Sequence, residues 1–285
     1  MTNAPTLLTV TTLGRFAVYR DQQQLSGGNW KRRKVSGLFK LLISADQHRL
    51  HREQIQEILW PSSTSEQAAN SFGTTLYLLR RALEPERTVG KDTPYISLSH
   101  DTTLLVSENI QIDADLFEAG VKELQTSLAQ KGSNQDNELI SEFDRVLQLY
   151  TGDYLPEDLY EDWTQKRRER LRRFHCWLLE HAATLAIAQR MGLRAREYLQ
   201  TLLEHDATDE QTHRLLMLVY ARMGHRTDAL NQFNQLRAIL RSELNTAPLP
   251  ETVALYRDIQ NGRIPSDLAL SHSAFEPVPS SPPTS

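Results

Sequence analysis

Ala69-Asn70-Ser71-Phe72-Gly73-Thr74-Thr75-Leu76-Tyr77-Leu78-Leu79-Arg80-Arg81-Ala82-Leu83 decides the fold, because its spacing predicts one helix with two unlike sides. Ala69, Phe72, Leu76, Leu79 and Leu83 recur at helical spacing and form an apolar stripe. Asn70, Thr74, Tyr77, Leu78 and Arg81 point away from that stripe, with Ser71, Thr75 and Arg80 on its shoulders. Short polar groups followed by two guanidinium groups suit base edges and phosphates. An ordinary amphipathic helix with a solvated polar side has the same pattern, so the neighbouring elements decide between the two.

Upstream, Leu7 to Tyr19 is rich in β-branched and aromatic residues around Gly14 and reads as two short strands or a hairpin, followed by a polar turn, Asp21-Gln22-Gln23-Gln24. Trp30-Lys31-Arg32-Arg33-Lys34 then leads into Val35, Leu38, Phe39 and Leu42 at helical spacing. Cations at a helix N-terminus oppose the helix dipole, which points either to an external anion or to a solvated charge run. Arg52 to Trp60 forms a second helix, stopped by Pro61, and Ser62-Ser63-Thr64-Ser65 supplies hydroxyl caps for the third. After it, Tyr95 to Ser99 and Thr102 to Val106 flank His100-Asp101 as a closing hairpin. Strands, three helices and a hairpin, with a short turn between the second and third helices, give a winged helix-turn-helix layout. In that layout the third helix enters the major groove.

From Ile110 onward the pattern is helical almost throughout. Leu116, Phe117, Val121 and Leu124 open it, Lys131-Gly132-Ser133-Asn134 breaks it, and Leu139, Phe143, Val146, Leu147 and Tyr150 resume it. A long helix runs from about Asp162 to Arg190. Arg190-Met191-Gly192-Leu193-Arg194 then recurs as Arg222-Met223-Gly224-His225-Arg226, 32 residues later. Each copy reads as a helix end, a glycine and a new helix start, with apolar faces after both, so stacked helical hairpins of the tetratricopeptide kind are expected. Ser266 to Ser285, rich in proline and serine, is expected to be disordered.

The 285 residues suffice for two domains with sizeable cores. No apolar run reaches bilayer-spanning length and the N-terminus lacks the pattern of a secretory signal, so a cytoplasmic location without membrane attachment is expected. The formal charge of −4 conceals a split: residues 1 to 105 carry 13 Lys and Arg against 9 Asp and Glu, and the remainder carries 19 against 27. A basic first domain suits a polyanion. Cys176, the single cysteine, excludes an internal disulfide and a multi-cysteine zinc site and reads as a small apolar residue within the long helix. Asp46-Gln47-His48-Arg49-Leu50-His51-Arg52-Glu53 has acids and imidazoles at ligand-like spacing, but its place at a helix start favours capping over metal binding. Glu157-Asp158 and Glu161-Asp162 read as the acidic start of the long helix. No nucleophile elbow and no phosphate-binding glycine loop occur, so catalysis, a metal, a cofactor and an ATP switch are all unexpected.

These residues together resemble the bacterial transcriptional activation domain proteins, the group that includes the Streptomyces antibiotic regulatory proteins. The carriers are Leu13-Gly14-Arg15-Phe16, Arg33-Lys34, Leu59-Trp60-Pro61, Ala69-Asn70 with Leu79-Arg80-Arg81-Ala82-Leu83, Ile112 to Glu118, Tyr150 to Leu155, and Gly224 to Leu230. Their order and spacing carry the resemblance rather than any one of them. It implies a winged helix-turn-helix fused to a helical activation and oligomerisation domain, in activators that bind direct repeats near promoters and contact RNA polymerase. Tyr77 and Leu78 stand where such recognition helices often carry arginine, and the hairpin tip lacks lysine and arginine. Shape and thymine-methyl contacts are therefore expected to matter more than guanine reading.

The expected architecture is mostly α: a winged helix-turn-helix (α+β) over residues 1 to 106, a tetratricopeptide-like helical-repeat activation domain over 107 to 262, and a tail over 263 to 285. The expected partners are double-stranded promoter DNA, RNA polymerase and a second copy of the chain as a homodimer. Arg32, Arg33, Arg80 and Arg81 are assigned to phosphates; Asn70, Ser71, Thr74, Thr75 and Leu78 to base edges; Tyr77 to a phosphate. The alternative is a helical-repeat adaptor whose winged unit has lost DNA and binds protein.

Overall fold

The computed structural model describes residues 6–85, 93–99, 101–130 and 136–264. The chain forms two compact units: Met1–Ala119 with Leu149–Leu171, and Gly120–Gln148 with Arg172–Ser285. The division therefore does not fall at residue 106. Two later stretches of chain complete the first unit.

In that unit β1 (Leu8–Thr11) runs antiparallel to β2 (Ala17–Arg20), with Leu8 opposite Arg20. Asp21 and Gln22, both at positive φ, form a two-residue hairpin turn into β3 (Gln23–Gln24). The polar turn expected over four residues is thus half that length. Next come α1 (Arg33–Ser44), β4 (Arg49–His51), α2 (Arg52–Leu59), α3 (Ser65–Leu83), β5 (Ile96–Ser99), β6 (Thr102–Leu105) and β7 (Ile110–Ile112). One sheet has the order β3-β2-β1-β7 and a smaller one β4-β6-β5.

Ile110 to Ile112, expected to begin the helical region, is a strand parallel to β1, with Leu8 opposite Ile110. Ile110 and Ile112 bury their side chains while Gln111 faces out, the alternation of a half-buried strand. Asp113 follows at once: its carboxylate accepts Thr12 N at 2.8 Å, Leu13 N at 3.0 Å and the Thr12 hydroxyl at 2.5 Å. Thr12 is fully buried, so these bonds meet donors that water cannot reach.

Residues 149 to 171 close the unit. Gly14, at φ +76°, lies so close to the Thr151 carbonyl that a Cβ would stand 2.9 Å from its oxygen. The buried Tyr154 hydroxyl meets Ser44 Oγ at 2.7 Å, at the end of α1. Arg167, 5% exposed, donates to the Ile43 carbonyl and to Asp115, and its Nε lies 3.3 Å from Glu118. Burial opposes its charge, but the Asp115 and Glu118 carboxylates outweigh burial and hold the guanidinium firmly protonated. Burial likewise raises the Asp115 carboxyl, but His48 and Arg167 reverse that and hold it below its ordinary value.

The second unit is helical. Apart from the last turns of α4 (Asp113–Gln130) and most of α6 (Asp162–Ala188), it comprises α5 (Asp136–Leu147), α7 (Gly192–His205), α8 (Glu210–Arg222), α9 (Arg226–Ile239) and α10 (Pro250–Gln260). The repeat is real, but its register differs from the pentapeptide recurrence. Arg190 and Gly224 are the left-handed residues, and Met191 N to Ala186 O at 2.8 Å matches His225 N to Tyr220 O at 2.9 Å. From Gly192, which starts α7, to Arg226, which starts α9, is 34 residues rather than 32. At that offset buried Ala195, Leu199 and Leu202 correspond to buried Ala229, Phe233 and Leu236. The period is that of tetratricopeptide units. Met217, Ala221, Ala229, Phe233, Leu255 and Ile259 form the core shared by α8, α9 and α10.

Among the described residues no helix is long and apolar enough to cross a membrane. Residues 131–134, expected as a polar break, lie outside the described residues, as do His100 of the hairpin tip and residues 265–285 of the tail.

Candidate nucleic-acid interface

The walls of the site follow from two helix starts. Phe16 stacks on Trp30, and Trp30 packs edge-on against Phe39, which fixes the turn that delivers Arg32 to the head of α1. The first turn of α1 carries no acid, so Arg32, Arg33 and Lys34 stand at the positive end of the helix dipole. Across from them, α3 begins with a reciprocal cap: Thr64 Oγ1 accepts Gln67 N at 3.3 Å, and Gln67 Oε1 accepts Thr64 N at 3.2 Å. Phe72, Leu76, Leu79 and Leu83 bury the inner stripe as expected, but its first member is Ala68; Ala69 is half-buried.

Between these walls lies a cleft of about 580 Å³, lined by Arg32, Arg33, Lys34, Val35, Trp60, Asn70, Ser71, Thr74, Thr75 and Leu78. Arg32, Arg33, Asn70, Ser71, Thr74, Thr75 and Leu78 were singled out from sequence, and they meet here. Within the wall, Thr75 is 7% exposed and packs inward, so it supports the surface rather than facing out. The Thr74 hydroxyl donates to the Asn70 carbonyl at 3.1 Å, which spends its proton on the helix. That leaves the Asn70 amide and the Ser71 hydroxyl to donate and accept on this wall, with Thr74 Oγ1 still able to accept.

Tyr77, Arg80 and Arg81 lie outside the cleft. Tyr77 is 44% exposed, and its hydroxyl accepts Arg81 Nη1 at 3.5 Å on the outer flank of α3. Arg80 Nη2 donates to the Ile96 carbonyl at 3.3 Å and so faces the first strand of the closing hairpin.

Three further parts of the site carry no assigned contact from sequence, although Lys34 is already grouped there with the cations at the start of α1. Lys34 donates to the Leu59 carbonyl at the end of α2 and lies 5.9 Å from the ring centroid of Trp60, which also lines the cleft. Leu59-Trp60-Pro61 was noted as a helix stop, and a large aromatic at a stop was the available signal. The third part is Glu161, whose Oε1 lies 3.3 Å from Arg33 Nη2. The expected acidic helix start is instead divided: Asp158 pairs with Lys40, Glu157 accepts Phe16 N at 3.2 Å, and Asp162 alone begins α6.

Elsewhere, the acid and imidazole string near residue 50 is dispersed. His48 Nε2 meets Asp115 at 2.9 Å, Gln54 Oε1 accepts His51 N at 3.1 Å, and Asp46 faces Lys166 and Arg170. Among the described residues no group of ligand side chains converges for a metal. Cys176 is half-buried, and burial raises its thiol to about 11.

Residues 112–260 match the family model described as bacterial transcriptional activator domain. Over 272 residues, 95% of its length, the chain is 24% identical to regulatory protein AfsR of Streptomyces griseus. It spans about a quarter (26%) of that protein. A solved structure of Mycobacterium tuberculosis EmbR in complex with a low-affinity phosphopeptide shares the fold: TM-score 0.68 at 17% identity, covering 92% of this chain and 67% of that one.

Proposed function

The chain belongs to the bacterial transcriptional activator domain family, and from that premise we propose that it is a DNA-binding transcription regulator of the activating kind. In this reading α2, the turn at Trp60 to Thr64, and α3 form a helix-turn-helix, with the β5–β6 hairpin as its wing. The observation that carries the reading is the cleft itself: three cations on one wall and the exposed polar face of a capped helix on the other. An α-helix in a major groove needs that division, with cations reaching phosphates and short polar groups reaching base edges.

Arg32 and Arg33 hold phosphates on one side, Arg81 with Tyr77 on the other, and Asn70, Ser71 and Thr74 face bases. Leu78 lies against a thymine methyl. The helical repeats serve self-association or contact with RNA polymerase, as the stacked helices α7 to α10 support.

Equilibrium binding of the whole chain to promoter-length duplex across salt concentrations tests the reading. Log-log salt dependence with a slope of several units is expected, since each phosphate contact contributes about −0.9. A flat profile with no measurable affinity at low salt would exclude it and leave the adaptor reading.

A further inference from the structure

Glu161 sits in the short turn between Pro156–Asp158 and α6. Its carboxylate is held at both oxygens: Oε1 lies 3.3 Å from Arg33 Nη2, and Oε2 accepts Trp163 Nε1 at 3.1 Å. Its backbone is fixed too, because its carbonyl accepts the amide of the fully buried Thr164 at 3.0 Å and the hydroxyl at 2.8 Å. Lys40 ties the same turn to α1 through Asp158. The acid is anchored, whereas the Arg33 side chain it touches is 90% exposed.

We propose that Glu161 limits the affinity of the duplex-binding cleft, by occupying the Arg33 guanidinium in the free protein and yielding it to a phosphate on binding. The proposal rests on the duplex reading above. A carboxylate and a phosphate compete for the same donors, and like charges disfavour holding both. Where attachment is by phosphates, one fewer available cation weakens binding. Breaking the Glu161–Arg33 pair is a cost common to every duplex, so the acid lowers duplex affinity as a whole.

The test compares the unsubstituted chain with Glu161→Gln, Arg33→Ala and the double variant, on a random-sequence duplex across salt. Glu161→Asp serves as the charge-retaining control. Glu161→Gln is expected to bind about two- to fivefold tighter at low salt, the scale of an exposed ion pair, with a salt slope steeper by up to about one. Glu161→Asp should return towards the unsubstituted affinity, and the gain should vanish when Arg33 is alanine. Unchanged affinity and slope in Glu161→Gln, while Arg33→Ala weakens binding, would overturn the proposal and leave the duplex reading standing. A gain that persists without Arg33 would overturn it as well. Absence of duplex binding in every variant, the unsubstituted chain included, would remove the duplex reading and this proposal with it.

Discussion

The side chain of Met223 lies over Gly192: a Cβ on that glycine would stand 2.8 Å from Met223 Cγ and 2.9 Å from its sulfur. Both residues belong to the pentapeptide that recurs along the chain, yet the two copies do not occupy equivalent places. Gly224, in the second copy, is at φ +81° with open space around its Cα, so conformation demands it. Gly192 opens α7, and close approach by the methionine of the other copy demands it.

The two glycines should therefore fail differently. Gly192→Ala is expected to cost about 1–3 kcal/mol through overpacking, although alanine is the better helix former. Gly224→Ala should cost about 1–2 kcal/mol through the left-handed conformation. Adding Met223→Ala should relieve the first and not the second, as urea unfolding of the single and double variants would show. Equal coupling in both pairs would contradict the packing account.

What could be read from sequence was what local chemistry decides. The Phe72 to Leu83 stripe, the Thr64 cap and the stop at Pro61 each need only a few neighbouring residues, and the faces they predict are those observed. Ile110 to Ile112 misled because a three-residue strand has too little alternation to stand out before a helix, and its partner lies about 100 positions away. Ser44 with Tyr154, or Arg33 with Glu161, leave no periodic trace for the same reason. The repeat was visible through identical residues, but identity tracked chance and buried positions tracked the 34-residue register. At the cleft, helical spacing gave the face of α3 but could not tell that Thr75 turns inward or that Arg80 turns to a strand.

Asp113 joins β1 to the start of α4, so its loss should be felt across the whole first unit. Asp113→Ala strands the Thr12 and Leu13 amides and the buried Thr12 hydroxyl, an expected loss of about 2–4 kcal/mol. A fragment ending at residue 106 lacks the same carboxylate, β7 and the Tyr154 and Arg167 contacts. It should show poor amide dispersion and early thermal unfolding, and a sharp cooperative transition in that fragment would refute this.

The second unit should lose stability in mild acid. Burial holds the His213 imidazole below its ordinary value of 6.5. Its ring bridges the Ala207 carbonyl at 3.1 Å and the Gln232 amide at 2.7 Å, contacts that suit one proton rather than two. The unfolded chain then binds the extra proton more readily, so this contribution is complete above pH 6.5 and declines as pH falls through the folded value. Thermal unfolding between pH 7.5 and pH 5 should show a falling midpoint, and His213→Gln should flatten part of that fall. Parallel pH profiles for the two proteins would rule this histidine out as a source.

Arg80 and Arg81 are adjacent in sequence and should part company in function. Arg80 donates to the Ile96 carbonyl, so Arg80→Ala loosens the first strand of the closing hairpin from α3. An expected loss of about 1–2 kcal/mol in stability follows, with little change in the salt slope of duplex binding. Among the described residues Arg81 reaches the Tyr77 hydroxyl on the outer flank, and it is exposed, so Arg81→Ala should leave stability within about 0.5 kcal/mol. If its guanidinium meets a phosphate in the bound state, the same change should reduce the salt slope by about one unit and weaken all sequences alike. Asn70→Ala provides the contrast: on α3 but exposed within the cleft, it should relax preference at one base position without altering the slope. Thermal unfolding and salt-dependent binding of the three variants separate these outcomes. A stability loss at Arg81 with none at Arg80 would invert the assignment and move the phosphate contact to the hairpin side of α3.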